Sequence, residues 1–145
     1  MYHESQRGAS TGIRHRDVLC EERSEWTVEA ASEDWISVGV GWIAADAATA
    51  EANWPDASID ISVDGQPIPD TKRFTTEVEP FYYECPDYTA EGHIVKLSLY
   101  LPPLAPGNHT INWQYTIEAT INDGWHDFEP GPYSAYTATV VVSEP

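Results

Sequence analysis

Leu97–Ile121 reads LSLYLPPLAPGNHTINWQYTIEATI, and this stretch decides the fold class. In its second half Ile111, Trp113, Tyr115, Ile117, Ala119 and Ile121 fall on one side, and Asn112, Gln114, Thr116, Glu118 and Thr120 on the other. That two-residue period marks a strand buried on one face. In the first half Val95, Leu97, Leu99 and Leu101 alternate with Lys96, Ser98 and Tyr100, until Pro102 and Pro103 remove two ladder donors in succession. Gly107 and Asn108 follow Pro106 and tolerate the positive φ of a tight reversal. The expectation is a hairpin with a proline-glycine corner, its register held because a one-residue slip would turn Trp113 and Tyr115 to water.

Working outward, Trp26–Ala30 and Trp35–Ala44 alternate in the same way, the second with Gly39 and Gly41 as signs of a bulge or a close backbone approach. Asp46–Trp54 is alanine-rich, with Asp46 as N-cap and Pro55 just beyond, which predicts one short helical crossover between sheets. Ile59, Ile61 and Val63 lead into Asp64-Gly65, a hairpin signal, and Pro67 and Pro69 make the returning strand a short edge. Phe74–Val78 reads as a further strand, Phe81–Gly92 as a loop with three tyrosines, Asn122–Pro132 as a turn-rich connection and Tyr133–Val142 as the last strand. Seven or eight short strands with almost no helix predict an all-β, two-layer antiparallel β-sandwich. The domain covers residues 24–145, and the aperiodic, polar residues 1–23 are expected to form a disordered or loosely attached arm.

Net charge is −17 at pH 7. Residues 1–23 balance four arginines against four acids, whereas the remainder carries three basic residues and twenty acids. Such a surface repels phosphate backbones and anionic lipid, so nucleic acid and membrane insertion are not expected. No apolar run approaches the roughly 20 residues of a membrane span. Export, if it occurs, is expected to depend on a signal outside this chain. Cys20 and Cys85, the two cysteines, are equally consistent with a disulfide and with two free thiols.

The segment Leu104-Ala-Pro-Gly-Asn-His-Thr-Ile-Asn-Trp113, together with Val63-Asp-Gly65 and a β-branched terminal strand, resembles the immunoglobulin-like domains of secreted bacterial and archaeal proteins. The resemblance spans roughly residues 26–142. It implies an immunoglobulin-like fold and a noncatalytic structural or adhesive role inside a larger extracellular or cell-surface protein, with other domains, a protein or a glycan as partner. It supplies no catalytic residues, and the cysteines depart from the antibody pattern because Cys20 precedes every predicted strand.

Two constellations carry chemistry. Asp123, Asp127 and Glu129 lie in one loop and could offer hard oxygen ligands to calcium, although the spacing matches no EF-hand and a solvated acidic loop is the favoured account. His126 with the same acids is a weak zinc candidate, and no other cofactor is expected. The second is aromatic: Trp42, Trp54, Trp125, Tyr82, Tyr83, Tyr88 and Tyr133 exceed what a core of this size requires, and exposed rings of this kind stack on sugars, with Trp54, Trp125, Tyr82, Tyr83 and Tyr133 the candidate ligand residues and core packing the plain account of Trp42. A carbohydrate-binding module is therefore the main alternative, and a small enzyme or subunit from a halophile the second. No nucleophile, metalloprotease, dithiol or phosphate-loop motif is present to support an enzyme. Asn108-His-Thr110 is a glycosylation sequon at the proline-glycine corner.

Overall fold

The computed structural model describes residues 24–145. The readings made for residues 1–23, Cys20 included, lie outside the described residues. The strands are β1 (Glu25–Ala30), β2 (Ile36–Ala44), β3 (Ala57–Val63), β4 (Gln66–Pro67), β5 (Glu79–Glu84), β6 (Thr89–Leu101), β7 (Gly107–Ile117), β8 (Ile121–Asn122), β9 (Asp127–Phe128) and β10 (Gly131–Val142). One α-helix, α1 (Ala47–Asn53), runs into a 3-10 turn at Trp54–Asp56, and a second 3-10 turn covers Thr71–Phe74.

The strands form a five-stranded sheet in the order β1-β10-β7-β3-β4, a three-stranded sheet β2-β6-β5 and a small β8-β9 hairpin. The larger sheets face each other across one core. Val38 and Val40 of β2 oppose Ile111, Trp113 and Val140 across a void of about 20 Å³, and the Tyr115 hydroxyl donates to the Gly41 carbonyl at 3.0 Å. Trp113 lies at the centre, stacked on Trp26 (centroids 5.8 Å apart) and on Tyr136 (5.6 Å), which meet each other at 5.8 Å, so the three rings form a triangle. At Gly41 the ladder runs so close that a Cβ would stand 2.6 Å from the Val95 carbonyl oxygen, which is why β2 carries glycine there.

Several local expectations hold in detail. The Asp46 side chain caps α1 by accepting from the Thr49 N–H at 2.8 Å, and α1 crosses from the three-stranded sheet to the five-stranded one. Asp64 and Gly65 both take positive φ (50° and 81°), joining β3 to the two-residue edge strand β4. Asp64 accepts this strain because its carboxylate has work elsewhere. It receives the Thr110 N–H at 2.8 Å and the His109 Nδ1 at 2.6 Å, while His109 Nε2 lies 2.6 Å from the Ala105 carbonyl oxygen. The turn at Asp64 and the corner before β7, far apart in sequence, are thus bound together.

Both His109 nitrogens face acceptors, so the ring is best satisfied as an imidazolium. Its hydrogen bond to Asp64, aided by the Ala105 carbonyl, raises its pKa, and the same contact, led by His109, holds the Asp64 carboxyl below its usual range. The folded imidazole binds its proton more tightly than the unfolded one. Its contribution is therefore complete below about pH 6.5 and fades as pH climbs through the raised folded value. Asp64 works in the opposite sense, its contribution being present above about pH 4 and lost as pH falls through the lowered folded value. Denaturation midpoints taken upward from about pH 6.5 should show wild type losing its advantage over His109→Gln as pH rises through the raised folded value. A gap that stays constant over that range would refute the linkage.

Other expectations are corrected. Leu97–Leu101 and Ile111–Ile117 are not hairpin partners: β6 pairs with β2 and β5, and β7 with β3 and β10. The proline corner crosses between sheets, because prolines that cannot donate to a ladder suit a chain leaving one sheet for another. The sheets are not wholly antiparallel, since β1 runs parallel to β10. β7 stops at Ile117, and Ala119, assigned to the buried face, is exposed. Phe74–Val78 is no strand: Phe74 ends the second 3-10 turn, and Thr75 makes only an isolated bridge to Leu97. Within Phe81–Gly92, read as a loop, Glu79–Glu84 and Thr89–Leu101 pair as a hairpin around Cys85–Tyr88. An edge strand buries little of one face, so β5 alternates too weakly to be seen in sequence.

Candidate functional site

The aromatics converge where β2 ends, β10 begins and the β8-β9 hairpin folds over. The hairpin is locally over-determined. Asp123 Oδ1 accepts the N–H groups of Trp125 (2.7 Å) and His126 (2.6 Å). Asn122 Oδ1 accepts the Gly124 N–H at 2.7 Å, and Asn122 Nδ2 donates to Asp127 at 2.8 Å. Gly124 holds φ 97°, and a Cβ there would stand 2.4 Å from Ala45 Cβ, so the tip closes against the chain after β2 only as glycine.

Two tethers hold the hairpin to the body. The Ala45 N–H donates to the Asp123 carbonyl at 2.7 Å. Asn53, buried at the end of α1, accepts from Trp42 Nε1 at 3.0 Å and donates through Nδ2 to the Asn122 carbonyl at 3.1 Å. The indole of Trp125 then lies over β6 at Gly92, where a Cβ would come within 3.0 Å of the ring.

Around this hairpin is a cleft of about 240 Å³. Its floor is Trp42 and Tyr115, both buried. Its walls include Tyr83 from β5, Trp125 and His126 from the hairpin, and Phe128 and Tyr133 from the segments on either side of Pro130. Tyr133 arrives there through a bulge: the β10–β7 register shifts between Pro132 and Ser134, so Tyr133 has no partner on β7. The extra residue lets Tyr133 and Tyr136, three apart, both line the cleft, which strict alternation forbids.

The rings stand largely at right angles. Tyr133 meets Phe128 at 90° (5.2 Å), Tyr115 at 87° (6.3 Å) and Trp42 at 66° (6.0 Å). Trp125 and Tyr133 remain accessible, at 45% and 51% exposed. Asp123, only 6% exposed, supplies a carboxylate to the cleft. Burial first, a neighbouring tyrosine second and the Asp123 charge third push the Tyr83 and Tyr133 hydroxyls up. The Ser134 hydroxyl also borders the cleft and has no hydrogen-bond partner among the described residues.

Of the aromatics singled out from sequence, Tyr83, Trp125 and Tyr133 therefore share one site. Tyr82, 58% exposed, alternates to the opposite side of β5. Trp54 does not belong to any surface platform. It is 8% exposed, donates to Thr75 Oγ1 at 3.1 Å and carries the Lys72 ammonium 3.9 Å from its ring centroid. Lys72 also donates to the Trp54 carbonyl, and burial, partly offset by Asp56, presses its pKa down to about 8. The proline after the helix closes Trp54 inward, an outcome set by packing that helix-end spacing does not specify.

The three carboxylates of the acidic loop are directed to separate tasks. Asp123 braces the turn, Asp127 pairs with Asn122, and Glu129 accepts from Thr120 at 3.2 Å. Among the described residues no group of three or more histidine, cysteine or acidic side chains is gathered for a metal. Cys85 is disulfide-bonded. Asn108 is exposed at the start of β7. Among the described residues no helix is long and apolar enough to cross a membrane.

Tyr115 and Phe128 are not identified from sequence as site residues, and Trp42 is counted there among the surplus aromatics with core packing as its plain account. Only the pairing of the sheets makes Trp42 and Tyr115 a floor.

No family model matches the sequence, and no curated protein matches it. Among solved structures, a cysteine protease inhibitor from Entamoeba histolytica is similar over 85% of this chain and 91% of its own, at 14% identity and a TM-score of 0.38. Amebosin is similar over 83% of this chain and 98% of its own, at 13% identity and a TM-score of 0.33. At these scores neither likeness assigns a site or an activity.

Proposed function

We propose that this chain is a noncatalytic immunoglobulin-like domain of a secreted or cell-surface protein, and that it holds its ligand in the aromatic cleft beside the β8-β9 hairpin. One observation carries the reading: Tyr83, Trp125 and Tyr133, from three separate segments, meet around one open cleft on a hairpin braced at both ends. A core needs no half-exposed tryptophan on a rigid tip, whereas a binding site does. The immunoglobulin-like assignment draws on the crossing of the proline corner between two facing sheets and on β1 running parallel to the last strand. The disulfide at Cys85 fits an oxidising compartment.

A glycan ligand is the second reading, favoured by the exposure of Trp125 and Tyr133. Retention of the purified domain on immobilised glycans and surface proteins, with and without calcium, tests both. Trp125→Ala should reduce retention about tenfold or more, on the scale of a lost aromatic anchor, while Tyr82→Ala, on the far side of β5, leaves it unchanged. Equal losses in the two variants, or none in Trp125→Ala, would remove the cleft from consideration.

A further inference from the structure

From the polar groups that line the cleft, we infer that it receives the cationic end of a lysine or arginine side chain presented by a protein partner. The inference rests on the cleft being the ligand site. Two groups in its wall keep hydrogen-bonding capacity. Asp123 is only 6% exposed, and the two turn N–H groups that it accepts both end on Oδ1, which leaves Oδ2 to a ligand. The Ser134 hydroxyl is buried and has no partner among the described residues. Both oxygens accept from N–H donors. Neither lysine nor arginine borders the space, and His126 is the one basic side chain there.

Charge separates this class from neutral donors. A ligand that closes the cleft strips water from the Asp123 carboxylate. A sugar hydroxyl offsets that loss only in part, whereas an ammonium or guanidinium brings the opposite charge together with its N–H groups. Size and surroundings point to a side chain. At about 240 Å³ the space is below the roughly 300–1,000 Å³ of sites for drug-sized molecules. The half-exposed Trp125 and Tyr133 rings flank it, and Tyr88, also half-exposed, packs edge-on against Tyr83 in its wall. Protein interfaces set aromatic rings of this kind around a buried anchor, and the methylene stem of lysine or arginine packs along them. Residues 24–145 set twenty acids against three basic residues, a field that steers a basic partner to the domain.

The test is titration of the whole chain, its disulfide intact, with blocked glycine peptides that differ only at one central residue. That residue is arginine or its neutral isostere citrulline, and lysine or norleucine, which keeps the stem and lacks the ammonium. Amide shifts at Trp125 and His126 report on the cleft. At least one cationic peptide is expected to bind about tenfold or more tightly than its neutral counterpart, the scale of a charge-assisted hydrogen bond. The pair that shows the difference assigns arginine or lysine. Asp123→Asn keeps an oxygen for the two turn N–H groups but removes the charge, and should abolish most of that difference. Ser134→Ala should weaken the cationic peptide severalfold with the amide spectrum of the free domain unchanged. Asp60→Asn, at an exposed acid on the face of β3 turned away from the core, should leave binding unchanged. Equal binding of cationic and neutral peptides, or equal losses in Asp60→Asn and Asp123→Asn, overturns the inference. No peptide binding, with retention of another ligand that depends on Trp125, overturns it while the cleft reading stands. Absence of both overturns both.

Discussion

Trp113→Ala should lower the stability of the domain by about 3–5 kcal/mol, the cost of removing a large buried ring from a core that cannot close over the gap. Trp113 is 3% exposed and packs against both the Trp26 and the Tyr136 rings, so its loss removes a contact from β1 and another from β10. Because domains of this size are typically stable by only about 5–15 kcal/mol, the variant should be partly unfolded under mild denaturant. Urea unfolding followed by tryptophan fluorescence and far-UV circular dichroism measures this directly. A loss below about 1 kcal/mol would mean that the sheets do not share the core described above.

The second large effect is expected at Asn53. Asn53→Ala removes the acceptor from buried Trp42 Nε1 and the donor that ties α1 to the hairpin at Asn122. Leaving the indole N–H unsatisfied costs about 1–3 kcal/mol. Losing the tether should also loosen the hold of the body on the Asp123–His126 turn, since of the two tethers described only the Ala45 bond then remains. Hydrogen exchange should therefore quicken at the Trp125 and His126 amides, and ligand retention should fall although Asn53 does not line the cleft. Destabilisation with unchanged exchange in the turn would show that Asn53 supports the core and not the site.

These two residues mark different limits of sequence reading. The inward placement of Trp113 follows from alternation over Ile111–Ile117, because a strand with one apolar face has only one register that keeps water off it. Asn53 carries no comparable signal: an asparagine at the end of a short helix is ordinary, and its two bonds reach Trp42 and Asn122, the second 69 positions away. The bulge at Tyr133 is intermediate. The three-residue spacing of Tyr133 and Tyr136 is visible, but that both belong on one side is known only once the cleft exists.

What the sequence by itself determined is the all-β class, most strand positions, the capped helix, the Asp64-Gly65 turn and the surplus of aromatics, since each rests on interactions within a few residues. The tertiary structure decided which strands share a sheet, that the proline corner is a crossing, that Trp54 is buried, and that Tyr83, Trp125 and Tyr133 share a wall. Period-2 alternation tells a strand which face to bury but not which neighbour to pair with. That choice is made by long-range packing of the whole core, and the cleft is a consequence of it.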